Sequence, residues 1–197
     1  MPSSRLARTL HALLAAAAAA LLLAGVAHAG PKVKLQTSLG DLVIELDSER
    51  APLSSANFLG YVDSGFYDGT LFHRVIPGFM IQGGGFDTSY QRKPAGEPIK
   101  NEADNGLKNV RYSVAMARTG APHSATAQFF INNVDNGFLD HRSPTSRGWG
   151  YAVFGRVIDG EEVVEAISGV ATGRAGPFAK DAPQEPVLIE RALRVAE

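Results

Sequence analysis

Residues 71–85 read LFHRVIPGFMIQGGG, an apolar run interrupted by His73, Arg74 and Gln82. A guanidinium is a permanent cation with a planar fork of donors. An amide both donates and accepts hydrogen bonds. Together they can hold and polarise a substrate without attacking it. Met80 and Gln82 are two residues apart, so they share one face of a strand and Ile81 takes the other. A second strand-like run, QFFIN at 128–132, repeats the arrangement: Gln128 and Phe130 share a face, and Phe129 and Ile131 the opposite one. Where two such faces meet they form an apolar pocket with polar handles at its rim, a common build for a small binding site. From the pattern alone the plainer reading stays open: Phe79, Met80 and Phe130 as core, Gln82 and Gln128 as solvent-facing amides, Arg74 as a surface cation.

Other chemistries find no footing. There is no G-x-S-x-G and no cysteine to act as nucleophile. Gly83-Gly84-Gly85 is followed by Phe86, not by the Lys-Ser/Thr of a phosphate-cradling loop. Past residue 29 the histidines are His73, His123 and His141, without metal-ligand spacing. Carboxylates are scattered in turn-like stretches, so a paired-acid hydrolase is unsupported. Neither metal nor cofactor is expected.

The elements that must position these residues are mostly strands. KVKLQT (32–37) and DLVIELD (41–47) alternate around Ser38-Leu39-Gly40, a hairpin signal. Residues 52–62 change period: Pro52 suits a first helical turn, and Leu53, Ala56, Leu59 and Val62 recur every three residues. Further strands are expected at 71–76, 79–82, 112–117, 128–132, 151–158 and about 187–195. A second helix is expected after Asp159, with Asp159 as cap, Glu162 three residues on, and Val163, Val164 and Ile167 as its apolar stripe. About eight strands and two short helices without βαβ alternation predict an antiparallel β-barrel or sandwich, whose open ends two helices can plug. The long connections 83–110, 118–126 and 136–150 are expected to carry part of the site.

Residues 1–29 read as a secretory signal peptide: Arg5 and Arg8, an uncharged Ala/Leu stretch from Ala12 to Ala27, then the small-x-small triplet Ala27-His28-Ala29. A membrane-spanning anchor would need about 20 strongly apolar residues, more than this alanine-rich stretch supplies. Cleavage after Ala29 would leave one domain of 168 residues, 30–197. It would also reduce the basic residues from 19 to 17 against 20 acidic ones, a net charge of −3. That balance gives a nucleic-acid backbone nothing to attract. The absence of cysteine suits an oxidising compartment that forms no disulfides here.

The stretch FHRVIPGFMIQGG resembles the signature of the cyclophilins, the cyclophilin-type peptidyl-prolyl cis-trans isomerases. The resemblance continues in order through Asn57-Phe58, Lys100-Asn101-Glu102, Met116-Ala117, Gln128-Phe129-Phe130-Ile131, Phe138-Leu139-Asp140 and Val153-Phe154-Gly155, covering nearly all of 32–195. With the leader, the chain resembles the periplasmic cyclophilins of Gram-negative bacteria. The resemblance implies a mainly β fold, an eight-stranded antiparallel closed barrel capped by two helices. It also implies an isomerase of X-Pro bonds in exported polypeptides. Arg74 matches the family's catalytic arginine. Phe79, Met80, Phe130 and Leu139 match the walls of a proline pocket, and Gln82 and Gln128 the groups that hold substrate backbone. Ala117 and Arg118 match the segment that pairs with the peptide's main chain, and His73 a supporting histidine.

Three positions depart from the family pattern. Phe138 stands where many members carry a tryptophan whose N–H binds cyclosporin, so weak cyclosporin binding is expected. Tyr151 replaces a histidine and Arg118 an asparagine. Trp149, in the 141–150 loop, is not the missing indole. The expected partners are proline-containing unfolded or partly folded polypeptides, with no nucleic acid and no membrane once the leader is removed, and the expected state is a monomer. A non-catalytic peptide-binding barrel and a small-ligand carrier are the rivals. Arg74, Gln82 and Phe130 speak against the first, and the bulky strand residues, which fill a barrel, against the second.

Overall fold

Alternation decides the first hairpin. The computed structural model describes residues 30–195, so the leader expected over 1–29 lies outside the described residues. In β1 (Lys32–Thr37) Val33, Leu35 and Thr37 face inward, and in β2 (Gly40–Leu46) Leu42, Ile44 and Leu46 do. Thr37 Oγ1 donates to the Gly40 carbonyl at 2.6 Å and closes the turn.

Helix α1 (Pro52–Asp63) begins with Pro52, as expected, but its stripe differs from the every-third-residue reading. Leu53 and Ala56 are exposed, while Ser54, Ser55, Phe58, Leu59 and Val62 are buried. Nine residues make about two and a half helical turns, so Leu53 and Val62 cannot share a face. Ala51 provides no side-chain cap. The cap comes from 48 and 49 residues away: the Glu102 carboxylate accepts from the Leu53 and Ser54 N–H groups at 3.0 and 2.8 Å and from Ser54 Oγ at 2.7 Å. It thereby satisfies first-turn donors and places a negative charge at the positive end of the helix.

The chain then gives β3 (Thr70–Leu71), β4 (Arg74–Ile76), β5 (Met80–Gly83), β6 (Ser113–Met116), β7 (Phe129–Asn132) and β8 (Val153–Asp159). Next come α2 (Glu161–Ser168), β9 (Thr172–Ala175), β10 (Phe178–Pro183) and β11 (Leu188–Arg194). Short 3₁₀ helices at Ala103–Asn105 and Gly137–Leu139 sit within the long loops. Nine strands form one sheet in the order β3-β11-β1-β2-β8-β6-β7-β5-β4, all pairs antiparallel. The end strands β3 and β4 are separated in the chain only by Phe72 and His73, so the sheet curls until its two ends are consecutive stretches of chain. The expected 71–76 strand is thus split, which is why eight expected strands become nine. The fold is mainly β with two helices, as the sequence implied; its sheet is a strongly curled one, and no ladder joins β3 to β4.

Both helices close over the concave side. Phe58, Leu59 and Val62 of α1 and Val163, Val164 and Ile167 of α2 belong to the same core as Val33, Leu35, Ile44, Val75, Ile81, Val114, Phe129 and Ile131. Phe58 is its aromatic hub, with Tyr67, Phe129 and Phe154 at centroid distances of 5.1–5.3 Å. The expected Asp159 cap is not found: Asp159 ends β8, and the N-cap is Gly160 at φ 82°, without a side-chain cap bond. A Cβ at Gly160 would stand 2.4 Å from the Asp41 carbonyl oxygen, so both backbone angle and space require glycine. The β9–β10 ribbon was not anticipated, because its strands are mostly half-buried and lack an apolar alternation.

Replacing Glu102 with Ala removes the only side-chain cap seen on α1 among the described residues. Urea unfolding should show a loss of about 1–2 kcal/mol. An unchanged midpoint would show that the cap contributes nothing.

Candidate active site

The outer face of a curled sheet ordinarily meets water, yet here part of it is apolar. Met80, Ala115, Phe130 and Val153 are buried together outside the main core, with Ile76, Phe79, Leu107, Ala117, Leu139 and Tyr151 packed against them. Strand register explains the grouping. Arg74 lies opposite Gln82, Gln82 opposite Phe130, Phe130 opposite Ala115, and Ala115 opposite Val153. The neighbouring row, Val75–Ile81–Ile131–Val114, faces the core. The two amide-plus-apolar pairs read from the sequence therefore do meet on one face, and Arg74 ends their row.

Arg74 is half-buried, and among the described residues no carboxylate comes within salt-bridge distance of it. Beside it, Gln82 Nε2 donates to Gln128 Oε1 at 2.9 Å. The glycine run serves this pair: a Cβ at Gly85 would fall 2.4–2.5 Å from the Gln128 side chain. Gly85 is thus a cradle for an amide, not for a phosphate.

The pocket's far wall comes from loops. Phe79 stacks on Phe138 at 5.6 Å and 23°, and Phe138 remains 62% exposed at the rim. Leu139 and Tyr151 are joined by the Tyr151 N–H bond to the Leu139 carbonyl, 2.9 Å. Tyr151 stands edge-on to Phe130 at 5.6 Å, and the Arg118 guanidinium lies 4.6 Å over the Tyr151 ring. Arg118 Nε also donates to the Gly150 carbonyl at 2.9 Å. Its side chain therefore braces the wall. The Ala117 N–H bonds the Gln128 carbonyl, and among the described residues no group donates to the Ala117 carbonyl.

Sequence reasoning missed a buried asparagine network that holds this wall. Asn136 Nδ2 donates to the Phe79 carbonyl at 2.9 Å and to Asn132 Oδ1 at 2.7 Å. Asn132 Nδ2 reaches Asn109 Oδ1 and Ser113 Oγ, and Asn109 donates to Asp140 Oδ1 and to the Tyr151 carbonyl. Asn101 does the same for the outer loops, donating to the Pro122 and Gly150 carbonyls, each at 3.1 Å. Trp149 donates its indole N–H to the Asn101 carbonyl at 3.3 Å, so the indole serves loop packing rather than the pocket rim. The only sequence signal was the set of long Gly/Pro/Asn-rich connections without apolar period.

His73 is placed differently from its neighbours. It is 2% exposed, stacked on Phe178 of β10 at 5.3 Å and tilted against Phe86 at 4.6 Å, and its Nδ1 has no hydrogen-bond partner. Burial pushes the imidazole down from 6.5 to about 4. The adjacent Arg74 charge acts in the same direction, while the Leu71 backbone and the Gln128 side chain favour the charged form and only partly offset the burial. Between pH 6.5 and about 4 the unfolded chain binds this proton and the native one does not, so native stability falls as pH drops through that window. From pH 7 to pH 5 the wild type should lose about 2 kcal/mol more stability than His73→Gln, measured by urea unfolding. Parallel pH profiles for the two proteins would rule out a buried neutral His73.

Comparison with known proteins agrees with this geometry. Residues 32–193 match the family model described as cyclophilin type peptidyl-prolyl cis-trans isomerase/CLD. A peptidyl-prolyl cis-trans isomerase of Streptomyces antibioticus is 61% identical over 160 residues, covering 81% of this chain and 96% of the relative. Peptidyl-prolyl cis-trans isomerase B of Escherichia coli is 58% identical over 158 residues, covering 80% and 96%. Among solved structures, a cyclophilin type peptidyl-prolyl cis-trans isomerase of Cryptosporidium parvum matches with a TM-score of 0.69 at 28% identity, covering 85% of this chain and 98% of that one. The chain belongs to the cyclophilin-type peptidyl-prolyl cis-trans isomerases.

Proposed function

We propose that this isomerase acts on X-Pro bonds of exported polypeptides, and that Arg74 stabilises the twisted amide. The observation that carries this reading is the row Arg74–Gln82–Phe130, in register beside a buried apolar cluster on the outside of the sheet.

An X-Pro amide resists rotation by about 18–20 kcal/mol because twisting destroys its resonance. No covalent bond breaks, so no nucleophile is required. As the bond twists, the prolyl nitrogen becomes pyramidal and regains a lone pair. A guanidinium beside it then donates a hydrogen bond that the planar amide could not accept, and so binds the transition state better than either ground state. Phe79, Met80, Phe130 and Leu139 grip the ring and exclude water, which strengthens that bond. Gln82 and Gln128 exchange their mutual bond for contacts to substrate backbone, holding one side while the other turns. His73 supports Arg74 from below and takes no part in the proton inventory.

Acceleration by roughly 10⁵ requires about 7 kcal/mol. One charge-assisted hydrogen bond supplies about 1.5–3 kcal/mol, and a preorganised donor in a dry site up to about 4. Desolvation and a substrate held part-way twisted must supply the remainder.

Arg74→Ala should lose roughly two to three decades in kcat/KM for a short X-Pro peptide, the loss typical of one such donor. Arg74→Lys should also be impaired, since an ammonium lacks the planar fork. A wild-type rate in Arg74→Ala would end the mechanism, and a folded wild type without activity would leave a peptide-binding module. Cyclosporin added to the same assay should inhibit only weakly, because the Phe138 ring, unlike an indole, has no N–H to donate. Inhibition at stoichiometric cyclosporin would refute that expectation.

The basic, apolar and small-residue sequence of 1–29 supports export, into the periplasm of a Gram-negative host. Expressed in such a host, the full chain should appear in the periplasmic fraction with Gly30 as its first residue. An intact amino terminus in the cytoplasm would reject this.

A further inference from the structure

The loop 141–150 starts and ends on pocket walls. It leaves from Leu139-Asp140 and returns at Tyr151, with its ends joined by the Tyr151–Leu139 backbone bond. It carries His141, Arg142 and Arg147 and no acidic residue. The neighbouring loop 118–126 carries Arg118 and His123, again without an acid. The two loops form one wall. Asn101 bonds Pro122 of one and Gly150 of the other, Arg118 donates to Gly150, and Trp149 stands edge-on between His123 and His141 at 4.6 and 5.5 Å. The segment that joins them adds the exposed Lys100, and Ile99 pairs with Ala125.

Of the carboxylates bordering this wall, Glu102 and Asp140 are engaged elsewhere, while Glu97 and Asp104 are exposed and pair with no cation among the described residues. Glu102 caps α1, and Asp140 accepts from Asn109 and faces Lys108 at 3.5 Å. Asp104 is exposed on the short helix whose Asn105 bonds the Val153 carbonyl, on the other flank of the pocket. Arg142 and Arg147 are exposed and pair with no carboxylate among the described residues. The positive wall stands out on a chain with more acidic than basic residues.

The geometry points to a substrate preference: this wall selects X-Pro segments that carry Asp or Glu two or three residues from the proline. The inference rests on the reading of Arg74 and its pocket as the isomerisation site. A residue two or three positions from the bound proline lies roughly 7–10 Å away along an extended chain. That is about one Debye length at physiological salt, close enough for exposed cations to act. Each exposed pair contributes little, so the preference should be modest and sensitive to salt.

The test compares kcat/KM for peptides with a neutral X-Pro core flanked by two Glu or by two Lys. One series is flanked on the amino side and one on the carboxyl side, each run at low salt and at 1 M salt. At low salt, Glu peptides should exceed Lys peptides by about fivefold in at least one series, and the gap should close in 1 M salt. The variant with Arg142→Ala and Arg147→Ala should narrow the gap while turning over the neutral peptide at the wild-type rate. Equal rates in both series, a preference for Lys, or a gap that the double variant leaves intact would overturn the proposal. No acceleration of even the neutral peptide would instead overturn the reading of the site on which it rests.

Discussion

Gln82 stands opposite Phe130 across β5 and β7, and every other placement in the site depends on that register. Side chains alternate between faces, so a slip of one residue would exchange the two sides of the sheet. Ile81 and Ile131 would then leave the core and Gln82 would enter it, leaving a buried amide short of partners. The core row Val75–Ile81–Ile131–Val114 makes such a slip expensive. The same packing that stabilises the interior thus aims Arg74, Gln82, Met80 and Phe130 outward together. Fold energetics and site geometry are two faces of one ladder.

An apolar patch on the outside of a sheet could collapse or recruit a neighbouring chain. Here the loops prevent both by being fixed as walls. The backbone of 79 and 133–140 is held by Asn132, Asn136 and Asn109, whose amides bond main-chain carbonyls, the Asp140 carboxylate, the Ser113 hydroxyl and one another. Such a network is stabilising only when every member is satisfied. Its geometry also leaves little freedom: moving Leu139 means breaking its backbone bonds to Asn136 and Tyr151 together. A pocket that must hold a ring while a neighbouring bond rotates needs that rigidity, because a wall that yields cannot hold the substrate part-way twisted.

What was legible in the sequence had a short period. The pairs Met80/Gln82 and Gln128/Phe130 announce a shared face because strand alternation is local. The stripe Val163, Val164 and Ile167 announces α2 for the analogous helical reason. What was not legible depends on contacts between distant segments. Glu102 caps a helix that begins 50 residues earlier, so α1 lacks a local cap signal. Gly85 is a glycine because of Gln128, 43 residues later. The cage around His73 is completed by Phe178 on a ribbon whose strands lack apolar alternation. The motif Lys100-Asn101-Glu102 resembles the family's, yet its physical reason, one residue to join loops and one to cap a helix, appears only in three dimensions.

The burial of His73 also bears on catalysis. The proposed donation from Arg74 to a weakly basic prolyl nitrogen requires that no stronger acceptor hold its fork, and among the described residues no carboxylate does. A second charge beside it would disturb the site in another way: an imidazolium at position 73 would raise the cost of keeping the guanidinium half-buried and would draw anions into the pocket. Packing the imidazole between Phe86 and Phe178 keeps it neutral down to about pH 4. Across the neutral range position 73 therefore adds no second charge beside the Arg74 guanidinium. On the proposed mechanism that is the field a twisting amide uses: it becomes more favourable as the nitrogen regains its lone pair and does little for the planar forms at either end.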